Sequence, residues 1–335
     1  MNQAMHPSSS ADGVSWNLRD LYHDVTDPRI THDLDEALRR ARDFETAYRG
    51  KVLVEGGPPP ALLRAALEEL EGLSEQMDKP AVYASLLHAA KTDDPRHGAL
   101  LSRTREQRTV INKHLIFFDL EWVKLPDQPA QALIDAPELA RFRHYLQYKR
   151  VWRPYFLSEP EEKILDEKSV TGRAAFVRLF DETVSSMKFP YEHAGRTDWL
   201  SQQQVLAKLY DADRGVRQAA AAALTRGLQD NSRLLTFIFN TLVLDHKADG
   251  ELRHYPHPMT PRNLANEISE EVVEALMAAA ERHDGMVQRY YRLKSRLLGI
   301  EPLRDYDRYA PIFPDLPTCD WPRARTIVQE SYQAF

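Results

Sequence analysis

Two histidines close together in the sequence are the first residues whose spacing could support metal chemistry. His254 and His257 lie in a His-Tyr-Pro-His-Pro segment, and imidazole is the commonest metal ligand among protein side chains. Pro256 and Pro258, however, exclude a helix that would bring the two rings onto one face. We therefore predict a surface loop at this segment and no metal ligand in it.

The single cysteine, Cys319, is the second candidate for chemistry. A thiolate can act as a nucleophile, but its activation requires a nearby base or cation, and no nucleophile motif surrounds this residue. We interpret the thiol as structural. A lone cysteine also excludes an intrachain disulfide and is typical of a reducing compartment, so the predicted localisation is cytoplasmic.

Cations alternate with aromatic rings over residues 141–156. Such a composition is typical of a surface that binds nucleic acid, where cations meet phosphates and rings stack on bases. The alternative is an amphipathic helix with its rings in the core and its cations in solvent. The alternating residues are Arg141, Phe142, Arg143, Tyr145, Tyr148, Lys149, Arg150, Trp152, Arg153 and Tyr155.

The charge balance favours the amphipathic helix. The sequence has 44 Lys and Arg against 50 Asp and Glu, a formal charge of -6, whereas a protein that mainly holds nucleic acid or an anionic membrane has an excess of positive charge. No apolar run approaches the roughly 20 residues that a membrane span needs, and residues 1–13 lack the apolar core of a signal peptide. We predict neither nucleic acid nor membrane as a partner.

The elements that must position these residues are predicted to be almost entirely helical. Apolar residues recur at intervals of three and four over most of the chain, and the stretch over residues 234–246 is apolar enough to be nearly all core. Gly-Gly-Pro-Pro-Pro at residues 56–60 separates the first two helices, a shorter helix follows Pro80, and residues 100–122 form a third long one. Ser158 and Glu161 have capping-box spacing, so a helix begins there. Short connections favour antiparallel neighbours.

Only two stretches have β-type composition. Residues 187–199 contain Pro190, Gly195 and alternating aromatic residues, which predicts a small hairpin. Residues 306–313 precede Pro314 and predict a short strand. The predicted fold class is therefore mostly α: a multi-helix array with an N-terminal antiparallel helical lobe and only a minor hairpin or strand.

A final helix is predicted from the cap at Asp320 and the proline at position 322. Its apolar stripe continues unbroken to Phe335. A natural end more often shows a glycine or a polar tail, so we expect the sequence to be a fragment.

Several segments keep an order and spacing that match one family along nearly the whole chain. They are residues 16–22, 48–52, 161–165, 169–182, 240–244, 262–268 and 306–311. None is diagnostic by itself, but together they make the chain resemble the N-terminal half of the oligoendopeptidase F family of thimet-type zinc metallopeptidases.

This resemblance implies a helical peptidase with a deep channel between two lobes, which admits oligopeptides and excludes folded proteins. Family members use an HExxH helix, in which two histidines bind zinc and the glutamate activates the bound water, and a further glutamate downstream. None of the twelve histidines here is followed by Glu or has a second His four positions on. No catalytic, metal-ligating or substrate-binding residue is therefore assigned, and the motif is expected a short way beyond Phe335.

The resemblance also implies an organisation in three parts. Residues 1–15 are expected to be a disordered tail, residues 16–126 an N-terminal helical lobe, and residues 127–335 the N-terminal part of a helical peptidase domain that is truncated before the zinc site. The complete protein would be a zinc metalloendopeptidase that hydrolyses oligopeptides, while this segment alone would bind no zinc and be inactive. The alternative is a non-catalytic helical scaffold or binding module, which the helix pairs before Pro126 would suit.

Overall fold

The computed structural model describes residues 10–313 and 319–335, and these ranges are mostly helical. The predicted fold class is confirmed. The predicted tail over residues 1–15 lies largely outside the described ranges, so it stays a prediction. Within these ranges, no helix is both long enough and apolar enough to cross a membrane.

Six helices form the first part of the described chain. They are α1 (Pro28–Tyr48), α2 (Pro60–Ala90), α3 (Pro95–Asn112), α4 (Ile116–Lys124), α5 (Asp127–Asp135) and α6 (Arg143–Val151), with a 3₁₀ turn at Pro137–Phe142 before α6. The first three begin at a proline, whose fixed φ suits a first helical turn. Asp27 and Asp94 cap α1 and α3 by accepting backbone N–H groups of Arg29 and Arg96.

The apolar faces of α1 to α6 meet in one large core cluster. It includes Phe44, Leu63, Phe117, Trp122, Leu133, Leu139 and Leu146. A smaller cluster around Tyr22 and Tyr83 packs beside it. The large cluster contains residues on both sides of position 126, so the predicted boundary at 126/127 crosses a continuous core; the division into two domains stays a prediction.

Two of the predicted helix boundaries in this part are wrong. The helix α2 continues through Pro80, which is buried within it. A proline inside a helix removes one backbone hydrogen bond, but Met77 and Tyr83 on either side are also buried, and we infer that this packing holds the helix together. The long helix over residues 100–122 is divided at residues 113–115, where the His114 ring donates to the Glu45 carboxylate at 2.5 Å.

The connection between α1 and α2 is held by a single carboxylate. Glu121 accepts the backbone N–H groups of Gly50, Val52 and Leu53 at 2.8, 3.2 and 3.3 Å. Gly57 has φ +84°, which favours glycine, and an added Cβ would lie 3.3 Å from the Leu133 side chain. The connection is thus packed against α4 and α5.

The rest of the described chain contains two strands and eight further helices. They are α7 (Glu159–Thr171), α8 (Arg173–Ser186), β1 (Phe189–His193), β2 (Arg196–Leu200), α9 (Gln202–Lys208), α10 (Arg214–Asp230), α11 (Ser232–Leu252), α12 (Thr260–Ala265), α13 (Glu270–Leu298) and α14 (Trp321–Gln333). The capping box of Ser158 and Glu161 begins α7 as predicted. The hairpin is also confirmed: β1 and β2 pair antiparallel, from Phe189 opposite Leu200 to His193 opposite Arg196.

Buried apolar residues are sparse in α11, α13 and α14. Ile238 is the one buried residue of α11, so the prediction that residues 234–246 are nearly all core is wrong. Phe239 and Leu244 are exposed, and so is Phe237 although its ring lies 6.1 Å from that of Phe176. The predicted final helix is present as α14, and the Asp320 carboxylate caps it by accepting the Arg323 N–H. Its stripe is exposed in the described chain.

The predicted strand over residues 306–313 is wrong. A 3₁₀ turn spans Asp305–Asp307 instead, because the Asp307 carboxylate accepts the backbone N–H of Arg304 at 2.9 Å and closes the chain locally. Of the aromatic residues that gave the segment its β-type composition, Tyr309 stacks on Tyr210 at 4.6 Å between ring centroids, whereas Phe313 is exposed.

Candidate functional site

A partly buried ion pair joins the end of α11 to the start of α7. Arg253 donates to both oxygens of Glu162 at 2.7 and 2.9 Å, and also to the Asp249 carboxylate at 3.0 Å. Hydrogen bonds with Glu162 raise the pKa of Arg253 above its ordinary value. Arg253 is therefore a fixed cation between the two helices.

A polar cavity of about 580 Å³ adjoins this ion pair, between α3, α7, α8 and α11. Asp166, Arg173, Asp245 and His246 contribute to its lining. Burial raises the pKa of the Asp166 carboxyl, and its Oδ2 atom is buried without a hydrogen-bond partner. The cavity lining thus combines carboxylates with cationic side chains. Such a lining suits a polar ligand.

A second cavity of about 620 Å³ lies on the other side of His246 and is mostly apolar. The structure brings His254 and His257 together at its rim, with Tyr255 beside them. His246 Nε2 donates to the Pro258 carbonyl at 2.9 Å, and His257 Nδ1 accepts the Met259 N–H at 3.2 Å. In His246 and in His257, one ring nitrogen is therefore hydrogen-bonded to the backbone.

The segment that contains His254 and His257 is an exposed connection between α11 and α12, as the prolines predicted. His254 has φ +57°, and this left-handed backbone turns the chain at the end of α11. Both histidines are exposed.

The described residues do not provide the donor set that zinc requires. A zinc site needs at least three His, Cys, Asp or Glu side chains that converge on one point. Residues 10–313 and 319–335 contain no such group. The side chains described here therefore do not fit a zinc ion, and no chemical step is assigned to a metal held by them.

The alternation of cations and rings over residues 141–156 proves to be an amphipathic arrangement. Its cations meet carboxylates of neighbouring elements: Arg141 pairs with Glu71, Lys149 with Asp119, and both Arg150 and Arg153 with Asp127. Phe142 is buried and Tyr145 is partly buried against the large core cluster. The carboxylates neutralise these cations, and the ion pairs connect the segment to α2, α4 and α5.

Cys319 is exposed just before α14, and its thiol lies 3.6 Å from the Asp320 carbonyl oxygen. No cation or base contacts it among the described residues. The structure thus brings Cys319 into neither of the two cavities.

A buried charged cluster at Asp307 was not predicted from the sequence. Its carboxylate accepts from Arg214 at 2.8 Å and from Arg217 at 2.8 Å, and both Asp307 and Arg217 are fully buried. Burial by itself raises the pKa of the Asp307 carboxyl, but hydrogen bonds from the two arginines outweigh that effect and lower the pKa to about 2. Ninety residues separate Asp307 from Arg217, so no local pattern could reveal the cluster.

Comparisons with known proteins agree with this architecture. The family profile described as Oligopeptidase F matches residues 121–189. The Group B oligopeptidase PepB of Streptococcus agalactiae is 25% identical over 300 residues, which cover 89% of this chain and 49% of that protein. An oligoendopeptidase F homolog of Lactococcus lactis is 23% identical over 297 residues, which cover 85% of this chain and 49% of that protein.

The chain is similar to the oligoendopeptidase F family along most of its length. The crystal structure of oligoendopeptidase-F from Enterococcus faecium superposes with a TM-score of 0.73 at 22% identity, over 87% of this chain and 55% of that one. The structural likeness establishes a shared fold. The chain spans about half the length of the curated relatives that it matches, and it is homologous to their N-terminal half.

Proposed function

We propose that this chain is the N-terminal half of a zinc-dependent metalloendopeptidase that hydrolyses short oligopeptides. The observation that carries the proposal is similarity along 85–89% of the chain to about half the length of proteins named oligopeptidases. The zinc would be held by an HExxH helix of the other half, because the sequence contains no such motif. The lone Cys319 supports a cytoplasmic location.

In this proposal the described helices provide part of the wall of a peptide channel. The two cavities beside His246 are concave, and one combines an apolar lining with a few polar groups, as ligand sites commonly do. The exposed apolar faces of α11 and α14 would be covered by the catalytic half. Since α5 and α6 share the large core with α1 to α4, the channel in this proposal would lie between that core and the helices from α7 onward, where the first cavity lies.

The test compares this chain with the polypeptide read past the codon for Phe335. Zinc content is measured by mass spectrometry, and hydrolysis is followed with quenched fluorescent peptides in the presence and absence of a chelator. The longer polypeptide is expected to bind one zinc and cleave the peptides, while the present chain does neither.

Two outcomes would contradict the proposal. Chelator-sensitive hydrolysis by the present chain would show that catalysis needs no second half. A reading frame without HExxH, together with peptide binding but no cleavage, would favour the non-catalytic scaffold or binding module.

A further inference from the structure

A third cavity, of about 520 Å³, lies where α2 and α3 face α8 and the start of α9. Its lining includes the His88 ring, and we name it the His88 cavity. It shares no lining residue with the two cavities beside His246. Its volume is within the range that holds a small ligand or the end of a longer one.

The His88 ring has unused hydrogen-bonding capacity beside this cavity. His88 lies in α2 and is 6% exposed. Neither its Nδ1 nor its Nε2 atom has a hydrogen-bond partner among the described residues, although most buried polar side-chain atoms in proteins are paired. A neutral imidazole has one N–H donor and one acceptor nitrogen. The ring can therefore donate a hydrogen bond to a ligand without losing one within the protein.

Two arginines line the same cavity from opposite sides. Arg178 of α8 is held in place, because it donates to the Ser102 hydroxyl and to the Glu182 carboxylate, the latter at 2.6 Å. Arg105 of α3 forms no hydrogen bond or ion pair with any described residue. The lining also contains one carboxylate, that of Asp181, which is exposed and pairs with neither arginine. The cavity thus has an uncompensated cation and a separate acceptor for N–H groups.

This combination favours the end of a peptide over a simple anion. The C-terminal residue of a peptide has a carboxylate, which a guanidinium group binds through paired N–H donors, and it is preceded by backbone N–H groups that a carboxylate accepts. Inorganic phosphate offers no such N–H group to Asp181. The side chains of Leu101 and Phe180 also line the cavity and would contact an apolar last residue.

The position of the cavity agrees with the peptide path proposed above. Helices α2 and α3 contribute to the cores of the first part of the chain, whereas α8 and α9 belong to the helices from α7 onward. The His88 cavity therefore lies between the same two groups of helices as the proposed channel.

We propose that the His88 cavity binds the free C-terminal end of a peptide, whose carboxylate accepts hydrogen bonds from Arg105 and His88 while its backbone N–H donates to Asp181. The proposal rests on the proposed peptide-hydrolysing function. Its test measures binding by the present chain and needs neither zinc nor hydrolysis, so a negative result here would leave the test of the longer polypeptide unaffected.

The experiment uses the whole chain and two fluorescein-labelled pentapeptides of the same sequence ending in leucine. One has a free C-terminal carboxylate and the other a C-terminal amide. Fluorescence anisotropy measures both affinities, and we expect the free acid to bind about tenfold more tightly, because only the acid offers a charged acceptor to Arg105. Acetate and inorganic phosphate are added as competitors, and neither is expected to displace the peptide when present at the peptide's own dissociation constant.

Single substitutions identify the groups that recognise the carboxylate. Arg105→Gln should lower the ratio of the two affinities by about threefold or more. Arg103→Gln is the matched control, since Arg103 lies on the same helix, is exposed and does not line the cavity, and it should leave the ratio unchanged. His88→Leu should also lower the ratio without loss of stability, because leucine introduces no unpaired polar atom. Thermal unfolding checks that each variant is folded.

Three results would overturn the proposal. Equal affinities for the acid and the amide would show that the carboxylate is not recognised. An unchanged ratio in Arg105→Gln or in folded His88→Leu would show that these side chains have only a structural role. Displacement of the peptide by phosphate as readily as by unlabelled peptide acid would show that the cavity takes a bare anion.

Discussion

The helices before residue 152 and those after residue 158 are stabilised in different ways. In α1 to α6 the apolar stripes meet one another in a common core. In the later helices the apolar stripes of α11, α13 and α14 remain exposed, and several of the long-range contacts are made by charges, as in the Asp307 cluster and the Arg253–Glu162 pair. An amphipathic pattern therefore predicts that one face of a helix will be covered, but it does not identify the partner that covers it.

The interface between the two regions is also charged. Arg49 at the end of α1 donates to both oxygens of Glu159 in α7, at 2.8 and 3.0 Å, and this contact lowers the pKa of Glu159 to about 2. Lys113 forms an ion pair at 2.9 Å with Glu167, which also lies in α7. The later helices therefore join the apolar core partly through ion pairs at its edge.

The largest effect is expected from removal of an aromatic side chain in the first region. Trp122 is buried, and its indole N–H donates to the Leu146 carbonyl at 3.0 Å. Trp122→Ala should lower the free energy of unfolding by roughly 3–5 kcal/mol, because it leaves a cavity and removes the hydrogen bond to the Leu146 carbonyl. Urea denaturation measures the change; a loss below about 1 kcal/mol would show that this core is not the main source of stability.

A somewhat smaller effect is expected when the buried cluster of the second region loses its only carboxylate charge. Asp307→Asn leaves Arg217 buried without a counter-ion and should cost about 3 kcal/mol in the same assay. Asp305→Asn, an exposed residue of the same turn, is the control and should change little. Equal losses of unfolding free energy for the two variants would mean that the stabilisation comes from the turn itself and not from the buried charge.

The contribution of Asp307 also has a defined pH dependence. Its folded pKa of about 2 lies below its ordinary value of 3.8, so the folded state favours the charged carboxylate. The stabilisation is therefore fully present above about pH 4 and is lost as the pH falls through 2. We expect the difference in unfolding free energy between the wild type and Asp307→Asn to shrink over that window, and a constant difference would contradict this origin.

Two helical glycines in the second region should respond in opposite directions to alanine. A Cβ at Gly227 would lie 2.3 Å from the Phe189 ring, whereas a Cβ at Gly250 meets nothing within 4 Å. Gly227→Ala should cost about 1–3 kcal/mol through overpacking. Gly250→Ala should stabilise by about 0.4–1 kcal/mol, since it restricts the unfolded chain. Thermal unfolding of both variants distinguishes the two effects, and stabilisation by Gly227→Ala would show that α10 and β1 are not closely packed.

The smallest effect is expected on the exposed face of α13. Leu276 is 69% exposed, so Leu276→Ala should change the free energy of unfolding by no more than about 0.5 kcal/mol. Urea denaturation measures the change. A loss of stability similar to that of Trp122→Ala would indicate that this face is already covered in the isolated chain.

The sequence by itself determined the features that depend on a few neighbouring residues. Ser158 with Glu161 and Asp320 with a following proline predicted helix starts, because a cap satisfies backbone groups within one turn. Residues 187–199 predicted the hairpin, since its turn residues lie between its two strands. The order and spacing of short segments along the chain were enough for the family to be recognised.

Tertiary structure decided everything that joins distant residues. The β-type composition of residues 306–313 predicted a strand, but Asp307 closes a local turn by accepting the Arg304 N–H, and arginines about 90 residues away pair with its carboxylate. The apolar stretch over residues 234–246 predicted core, yet in the described chain no element covers most of it. Whether an apolar face is buried depends on which surface is brought against it, and that partner is specified elsewhere in the sequence or in another helix altogether.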